Sequence, residues 1–123
     1  MAVILDAVLD AAVALIRSSC TALHICSAAP ATYAEAITTY TLGNKATPTI
    51  NAPEDGDVSG RKVRIIAIDD GAVTGTDTAT HVALVDGTNS RLLAVQALSA
   101  GVAVTSGNTF TLTAFDVEIP DPA

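Results

Sequence analysis

Three residues near the start of the chain, Cys20, His24 and Cys26, are of the types that bind metal ions. A structural zinc site needs four such ligands around the ion. If residues 21–27 form a strand, His24 and Cys26 share one face, whereas Cys20 precedes the strand and no fourth ligand is near in sequence. We therefore expect no metal ion, and we interpret both cysteines as buried thiols of a reducing compartment beside a packed histidine.

His81 is a further residue that could do chemistry. It could act as a general base for Ser90 or Ser99, with Asp86 orienting its ring. The chain has no G-x-S-x-G nucleophile motif, and a histidine in mid-strand is more often held by a hydrogen bond within the sheet. We expect no catalytic residue and no enzymatic activity. A small hydrolase, and a pH-sensing role for His81 at an interface, are the alternatives.

Two acidic groups suggest ion binding or acid–base catalysis. Glu54, Asp55 and Asp57 could bind calcium, but the order Glu-Asp-Gly-Asp lacks the twelve-residue pattern of a calcium loop. Asp69 and Asp70 are adjacent, and neighbours in a strand point to opposite faces, so they cannot act as a paired acid and base. We interpret the first group as a solvated loop and the second as a turn, and we expect no cofactor.

Arg61, Lys62 and Arg64 form the basic cluster of the chain. Two compatible interpretations remain open at this point. The cluster could grip an acidic patch on a partner subunit, or it could guard an edge strand against unwanted pairing.

The segment 3–18 predicts a helix that is apolar around much of its circumference. Its acidic residues lie in the first half and Arg17 lies at the end, as the helix dipole favours. Because the apolar coverage is wide, we expect this helix to contact its own sheet and a neighbouring subunit. The expected interface residues are Ile4, Leu5, Val8, Leu9, Ala12, Leu15 and Ile16, together with Arg61, Lys62 and Arg64.

The rest of the chain consists of short apolar runs separated by turn residues. The first half predicts a strand over 21–27, a turn at 42–44 and a long exposed loop over 45–60, while 33–41 suits either a helical turn or an extended segment. The second half predicts strands over 61–68, 79–85 and 91–98 and a last hairpin of 102–105 with 108–119, joined by turns at 69–71, 86–89 and 106–108. This spacing predicts a single mainly β domain, 1–123, with an antiparallel β-sandwich (jelly-roll-like) over 21–119.

Composition limits the classes of partner. Half of the residues are hydrophobic and the mean hydropathy is +0.46. A domain of 123 residues cannot bury this much apolar surface by itself, so we expect contacts with other subunits. The net charge of −7 repels nucleic acid, and four aromatic residues are too few to form a stacking platform. The apolar N-terminal segment follows no basic residue and is too short to cross a bilayer. We expect no secretion signal, no membrane partner and no small-molecule substrate.

Four segments of the second half follow one another in a recognisable order: 79–86 (ATHVALVD), 91–94 (RLLA), 97–99 (ALS) and 104–110 (VTSGNTF). Together with 23–30 (LHICSAAP), they resemble a group of small tailed-bacteriophage virion proteins. That group opens with LYTADP and later runs THVALYD, a turn, LLA, ALS and VxxGDTFxF. The resemblance covers about residues 20–119, and the N-terminal helix and the loop over 45–60 depart from it.

The resemblance implies a structural role in the virion, either as a capsid decoration (cement) protein or as a tail or fibre-associated module that contacts other virion proteins or the host surface. We expect the first, in particles assembled in the bacterial cytoplasm. The implied partners are the major capsid protein and copies of the chain itself, most simply a trimer. The apolar helix would seal a junction between shell proteins, and many weak contacts would add up to firm attachment.

Overall fold

The computed structural model describes residues 6–56 and 60–119. Within these ranges, one α-helix, α1 (Asp6–Ser19), precedes nine strands. The strands are β1 (Ala22–Cys26), β2 (Thr41–Ala46), β3 (Glu54–Asp55), β4 (Arg61–Ile65), β5 (Ile68–Val73), β6 (Asp77–Asp86), β7 (Arg91–Val104), β8 (Thr109–Leu112) and β9 (Phe115–Ile119). A short π-helical segment, Glu35–Thr39, lies between β1 and β2. The predicted mainly β, antiparallel, sandwich-like fold with an N-terminal helix is confirmed.

The strands form two antiparallel sheets. Sheet A has six strands in the order β7-β6-β1-β2-β5-β8 and curls into a half-barrel. Sheet B has three strands in the order β3-β4-β9, and α1 packs against β4 and β9. The main core lies where sheet A, sheet B and the helix meet, because residues from all three belong to one buried cluster.

Alternation along β1 assigns its side chains to two cores, as the sequence predicts. Leu23 and Ile25 are buried in the main core. On the other face, Cys26 packs in a smaller cluster with Ala36 from the π-helical segment. The segment 33–41, which the sequence left ambiguous, is therefore helical until β2 begins at Thr41, and it covers the outer side of β1.

The single strand expected over 61–68 is wrong. The structure has two strands there: β4 belongs to sheet B, and after Ile66 and Ala67 the chain enters sheet A as β5. The turn expected at 69–71 is also wrong, since Asp69 and Asp70 lie within a bulge of β5. Gly71 follows them, and a Cβ atom at this position would overlap the ring of Phe110, so glycine allows the ring to cover the strand.

One further turn prediction and the predicted last hairpin fail for a related reason, while one loop is more ordered than expected. Residues 42–44 lie inside β2. The predicted last hairpin is wrong because the end of β7 pairs with β6, while β8 pairs with β5 and β9 pairs with β4. The turn predicted at 106–108 is present between β7 and β8. Within the segment 45–60, Ile50 forms a bridge with Ile65, and β3 pairs with β4. Asp57, one of the candidate calcium ligands, lies outside the described residues.

Candidate interaction surfaces

Helix α1 has one buried face and one exposed apolar face. Its buried side chains are Leu9, Val13 and Ile16. The opposite side, here called the outer helix face, consists of the exposed residues Val8, Ala11, Ala12 and Leu15. The side chains of Val8 and Leu15 are 59% and 42% exposed, which is high for large apolar groups. Among the described residues, the outer helix face is therefore an apolar stripe without a partner.

The buried and exposed faces of helix α1 separate the interface residues expected from the sequence into two groups. Leu9 and Ile16 fill the core of the protein itself and present little surface to another molecule. Val8, Ala12 and Leu15 are available for contact. Ile4 and Leu5 lie outside the described residues. The spacing of the available residues, i, i+4 and i+7, is the pattern by which helices present one face to a groove or to another helix.

Polar contacts hold the helix in place on sheet B. Arg61 of β4 forms salt bridges with Asp10 of the helix and with Asp55 of β3. These hydrogen bonds, that to Asp10 foremost, raise the pKa of the Arg61 guanidinium. At the other end of the helix, Arg17 donates from Nε to the carbonyl oxygen of Ile50, at 2.9 Å. The outer helix face is thus presented in a fixed orientation.

The basic cluster is neutralised within the protein. Lys62 Nζ lies 3.2 Å from Asp116 of β9, and Arg64 Nε lies 3.0 Å from the same carboxylate. The interpretation as an edge-strand guard is wrong, because β4 is the central strand of sheet B. Each basic residue of the cluster already binds an acidic side chain of this chain. Contact of Arg61, Lys62 and Arg64 with an acidic patch on a partner subunit stays a prediction.

The residues that suggested a metal site have separate local partners. The Cys20 thiol donates to the carbonyl oxygen of Ala22 at 3.4 Å, and the Cys26 thiol to that of Ala36 at 3.8 Å. Burial raises the pKa of Cys26 to about 11 and also raises that of Cys20. Within the described ranges, no three His, Cys, Asp or Glu side chains come together as metal ligands.

Both histidines bond to threonine hydroxyl groups. His24 Nδ1 lies 2.8 Å from the hydroxyl oxygen of Thr41, and burial lowers the pKa of His24. His81 Nδ1 lies 2.9 Å from the hydroxyl oxygen of its neighbour Thr80 in the same strand, which differs from the backbone or cross-strand partner that the sequence predicted. The partner suggested for it, Asp86, binds other groups at the end of β6.

Asp86 organises the turn between β6 and β7, a role that the sequence analysis missed. Its carboxylate is 1% exposed and accepts hydrogen bonds from the backbone N–H groups of Thr88 and Asn89, from the Asn89 amide and from the Arg91 guanidinium. The Asn89 and Arg91 bonds lower the pKa of Asp86 to about 2. The order Asp-Gly-Thr-Asn-Ser-Arg over residues 86–91 was the available signal, because an aspartate that begins a turn commonly accepts hydrogen bonds from the following N–H groups.

A second apolar surface lies along the edges of sheet A. From Leu92 to Phe115 the chain has no acidic or basic side chain, and this stretch, the uncharged edge, contains most of β7 and all of β8. Val95 and Val102 in β7 are 38% and 48% exposed. Sheet B differs, because its edge strands carry two acidic residues each: Glu54 and Asp55 in β3, and Asp116 and Glu118 in β9.

The two edge strands of sheet A, β7 and β8, approach each other without pairing and leave a gap between them. A cleft of about 190 Å³ lies between the end of β7 and β8, lined by uncharged residues that include Val102, Val104 and Phe110. Gly107, with a φ of 92°, makes the tight turn that joins the two strands. Because β7 and β8 pair with other strands and not with each other, the sheet is a half-barrel and does not close.

Among the described residues, no helix combines the length and the apolar character needed to span a bilayer. Comparison with known protein families, with curated proteins and with solved structures gives no match for this chain.

Proposed function

We propose that the protein is a structural component of a tailed-bacteriophage virion, a capsid decoration protein that binds the assembled shell and stabilises it. Two observations support this role. The sequence resembles small virion proteins over about residues 20–119, and the folded chain presents apolar surface in a protein that carries a net charge of −7. A protein that binds the shell but not its separated subunits stabilises the shell by mass action.

The observation that carries the proposal is the uncharged edge. The cores of protein interfaces are depleted in charged residues, and a free strand edge can add a strand from a partner through backbone hydrogen bonds. Natural proteins usually protect such edges with charges, as sheet B does here. An edge that lacks this protection and exposes Val95 and Val102 is suited to a permanent partner, which we assign to the major capsid protein.

Particles purified from the phage or lysogen that encodes the chain provide the direct test. We expect mass spectrometry to find the protein in these particles, and immunogold electron microscopy to place it on the head. Label on the tail or fibres would support the alternative, a tail-associated module. Absence from purified particles would contradict both.

A matched pair of variants tests the surface itself. Val102→Glu places a charge in the uncharged edge, whereas Thr38→Glu places the same charge on an exposed residue of the π-helical segment, outside this edge. After checking by circular dichroism that both are folded, we expect Val102→Glu to lose most of its binding to particles stripped of the wild-type protein. Thr38→Glu should bind as the wild type does. Equal binding by both variants would show that the uncharged edge is not the contact.

A further inference from the structure

Lys62 is the most buried of the basic residues that the structure describes, with 7% of its surface exposed. It lies in β4, the central strand of sheet B, and its amino nitrogen Nζ is 3.2 Å from Oδ2 of Asp116 in β9. Lysine is seldom buried, and burial disfavours its ammonium form, which is why buried lysines often act as nucleophiles. A nucleophilic group and a carboxyl group on neighbouring strands are therefore in contact.

The groups around this contact share one face of sheet B. Lys62 pairs with Glu118, and Arg64 pairs with Asp116, so these four side chains lie on the same side of the two strands. Residues directly opposite each other in an antiparallel pair have Cβ atoms about 5 Å apart. Glu118 is therefore close to Lys62, and Asp116 is the diagonal neighbour that the lysine side chain reaches.

We propose that Lys62 and Asp116 form an isopeptide bond, which joins β4 covalently to β9. The lone pair of Nζ attacks Cγ of Asp116, the bond from Cγ to Oδ2 breaks, and this oxygen leaves as water. Both hydrogen atoms of the water come from the lysine ammonium group, so an ammonium and a carboxylate become a neutral amide without any other reactant. The reaction takes place within one chain and does not depend on attachment to a capsid.

Two neighbouring side chains suit this reaction. Arg64 donates from Nε to Oδ1 of Asp116 at 3.0 Å, and Oδ1 is the oxygen that remains in the amide. Its guanidinium group is thus placed to stabilise the negative charge that develops on Oδ1 as the nitrogen attacks. Glu118, opposite Lys62, is placed to accept a proton from the ammonium group and to deliver it to the departing oxygen.

Burial and proximity favour a condensation that does not proceed in water. Hydration stabilises a free ammonium and a free carboxylate, whereas a buried pair has lost this hydration and becomes uncharged when the amide forms. Well-oriented groups in one molecule react as if at an effective concentration of up to about 10⁵ to 10⁸ M. Lys62 and Arg64 also share one carboxylate, so the charge of Arg64 favours the neutral amine of Lys62.

Mass spectrometry of the intact protein is the direct test. We expect the wild-type chain to weigh less than its sequence by one water molecule. Lys62→Arg keeps the positive charge but has no amine nucleophile, so it should have its full sequence mass. Asp116→Asn should still form the bond, now with loss of ammonia, and it keeps the test decisive if Lys62→Arg does not fold. A folded wild-type chain that keeps its full sequence mass would overturn the proposal.

Tryptic peptides show which side chains are joined. Trypsin does not cleave after a lysine whose amine is acylated, and the sequence has no lysine or arginine after Arg91. The linked protein should therefore give a branched peptide, 62–64 attached to 92–123, that is lighter by one water molecule than its two parts. A branch at Glu118, or a loss of water from an unbranched peptide, would overturn the assignment to Asp116.

A pair of variants tests the proton transfer. Glu118→Gln removes the acceptor opposite Lys62 in β9, whereas Glu54→Gln makes the same change opposite Lys62 in β3. After checking by circular dichroism that both are folded, we expect freshly purified Glu118→Gln to contain a larger unlinked fraction than Glu54→Gln. Equal unlinked fractions would refute the role of Glu118.

Discussion

Asp86 is the most buried of the acidic side chains whose exposure the structure describes. Its carboxylate binds the N–H groups of the turn and the side chains of Asn89 and Arg91, so it fixes the geometry with which β6 enters β7. Because these are hydrogen bonds to an ionised group, they stabilise the fold only while the carboxylate is charged.

This arrangement predicts a specific loss of stability in acid. The pKa of Asp86 is lowered from 3.8 to about 2 in the folded protein, so its contribution is complete above pH 3.8 and is lost as the pH falls through about 2. We expect urea unfolding to show a lower free energy of unfolding for Asp86→Asn than for the wild type at pH 6. This difference should shrink between pH 4 and 2. A difference that stays constant over this range would contradict the pKa assignment.

The two cysteines should differ in their reactivity. Cys26 is fully buried, which raises its pKa to about 11, whereas Cys20 is partly exposed and burial also raises its pKa. Since the thiolate is the reactive form, iodoacetamide at pH 8 should modify Cys20 first and Cys26 only after unfolding. Mass spectrometry of peptides from native and urea-treated protein measures this order. Modification of native Cys26 at the rate of Cys20 would contradict the burial.

Helix α1 is held to the sheets by one side of its surface, which gives the element a simple mutational test. Val13 is fully buried in the main core, whereas Val8 is 59% exposed. We expect Val13→Ala to lower the free energy of unfolding by about 2 to 3 kcal/mol, from lost burial and the cavity that remains. The same change at Val8 should stay within about 0.5 kcal/mol. Chemical denaturation of the two variants compares them directly, and equal effects would mean that the helix packs differently.

The sequence predicted those elements whose pattern is local. The alternation in β1, the helix, and the turn after β6 depend on residues near one another in the chain, and all three are confirmed. The turns at 42–44 and 69–71 were wrong because glycine and aspartate also occur in strands. Gly43 lies where a Cβ atom would clash with the backbone of β5, and Asp69 occupies a bulge. Partners far away in sequence decide such positions.

The sequence predicted which residue types form the candidate surfaces, but not where the fold places these residues. The amphipathic pattern predicted an apolar helix, but only the packing against β4 and β9 shows that Val8, Ala12 and Leu15 are outside while Leu9 and Ile16 are inside. The basic cluster was visible in the sequence, whereas its neutralisation by Asp116, about fifty residues later, was not. The sequence also contains the uncharged stretch from Leu92 to Phe115, but its position at a sheet edge depends on topology.

At the scale of the whole molecule, the last described strand, β9, connects sheet B with the helix. β9 pairs with β4 along its full length, contacts α1, and supplies Asp116 to two basic residues. We therefore expect a chain ending at residue 114 to lose the docked helix and to unfold at lower denaturant concentrations or remain partly unfolded. A chain ending at Ile119 is the matched control and should keep the native circular dichroism spectrum. A folded, stable 1–114 chain would show that sheet B is dispensable.

The pairing of β9 with β4, and its contact with the helix, also determine when the helix can dock during synthesis of the chain. The helix leaves the ribosome first, but its packing partners β4 and β9 follow much later, the second about a hundred residues afterwards. Contacts so distant along the chain form slowly, and an incomplete chain cannot make them. A nascent polypeptide that lacks β9 therefore cannot present the outer helix face in its final orientation, so residues 115–119 must be translated before this face is available for binding.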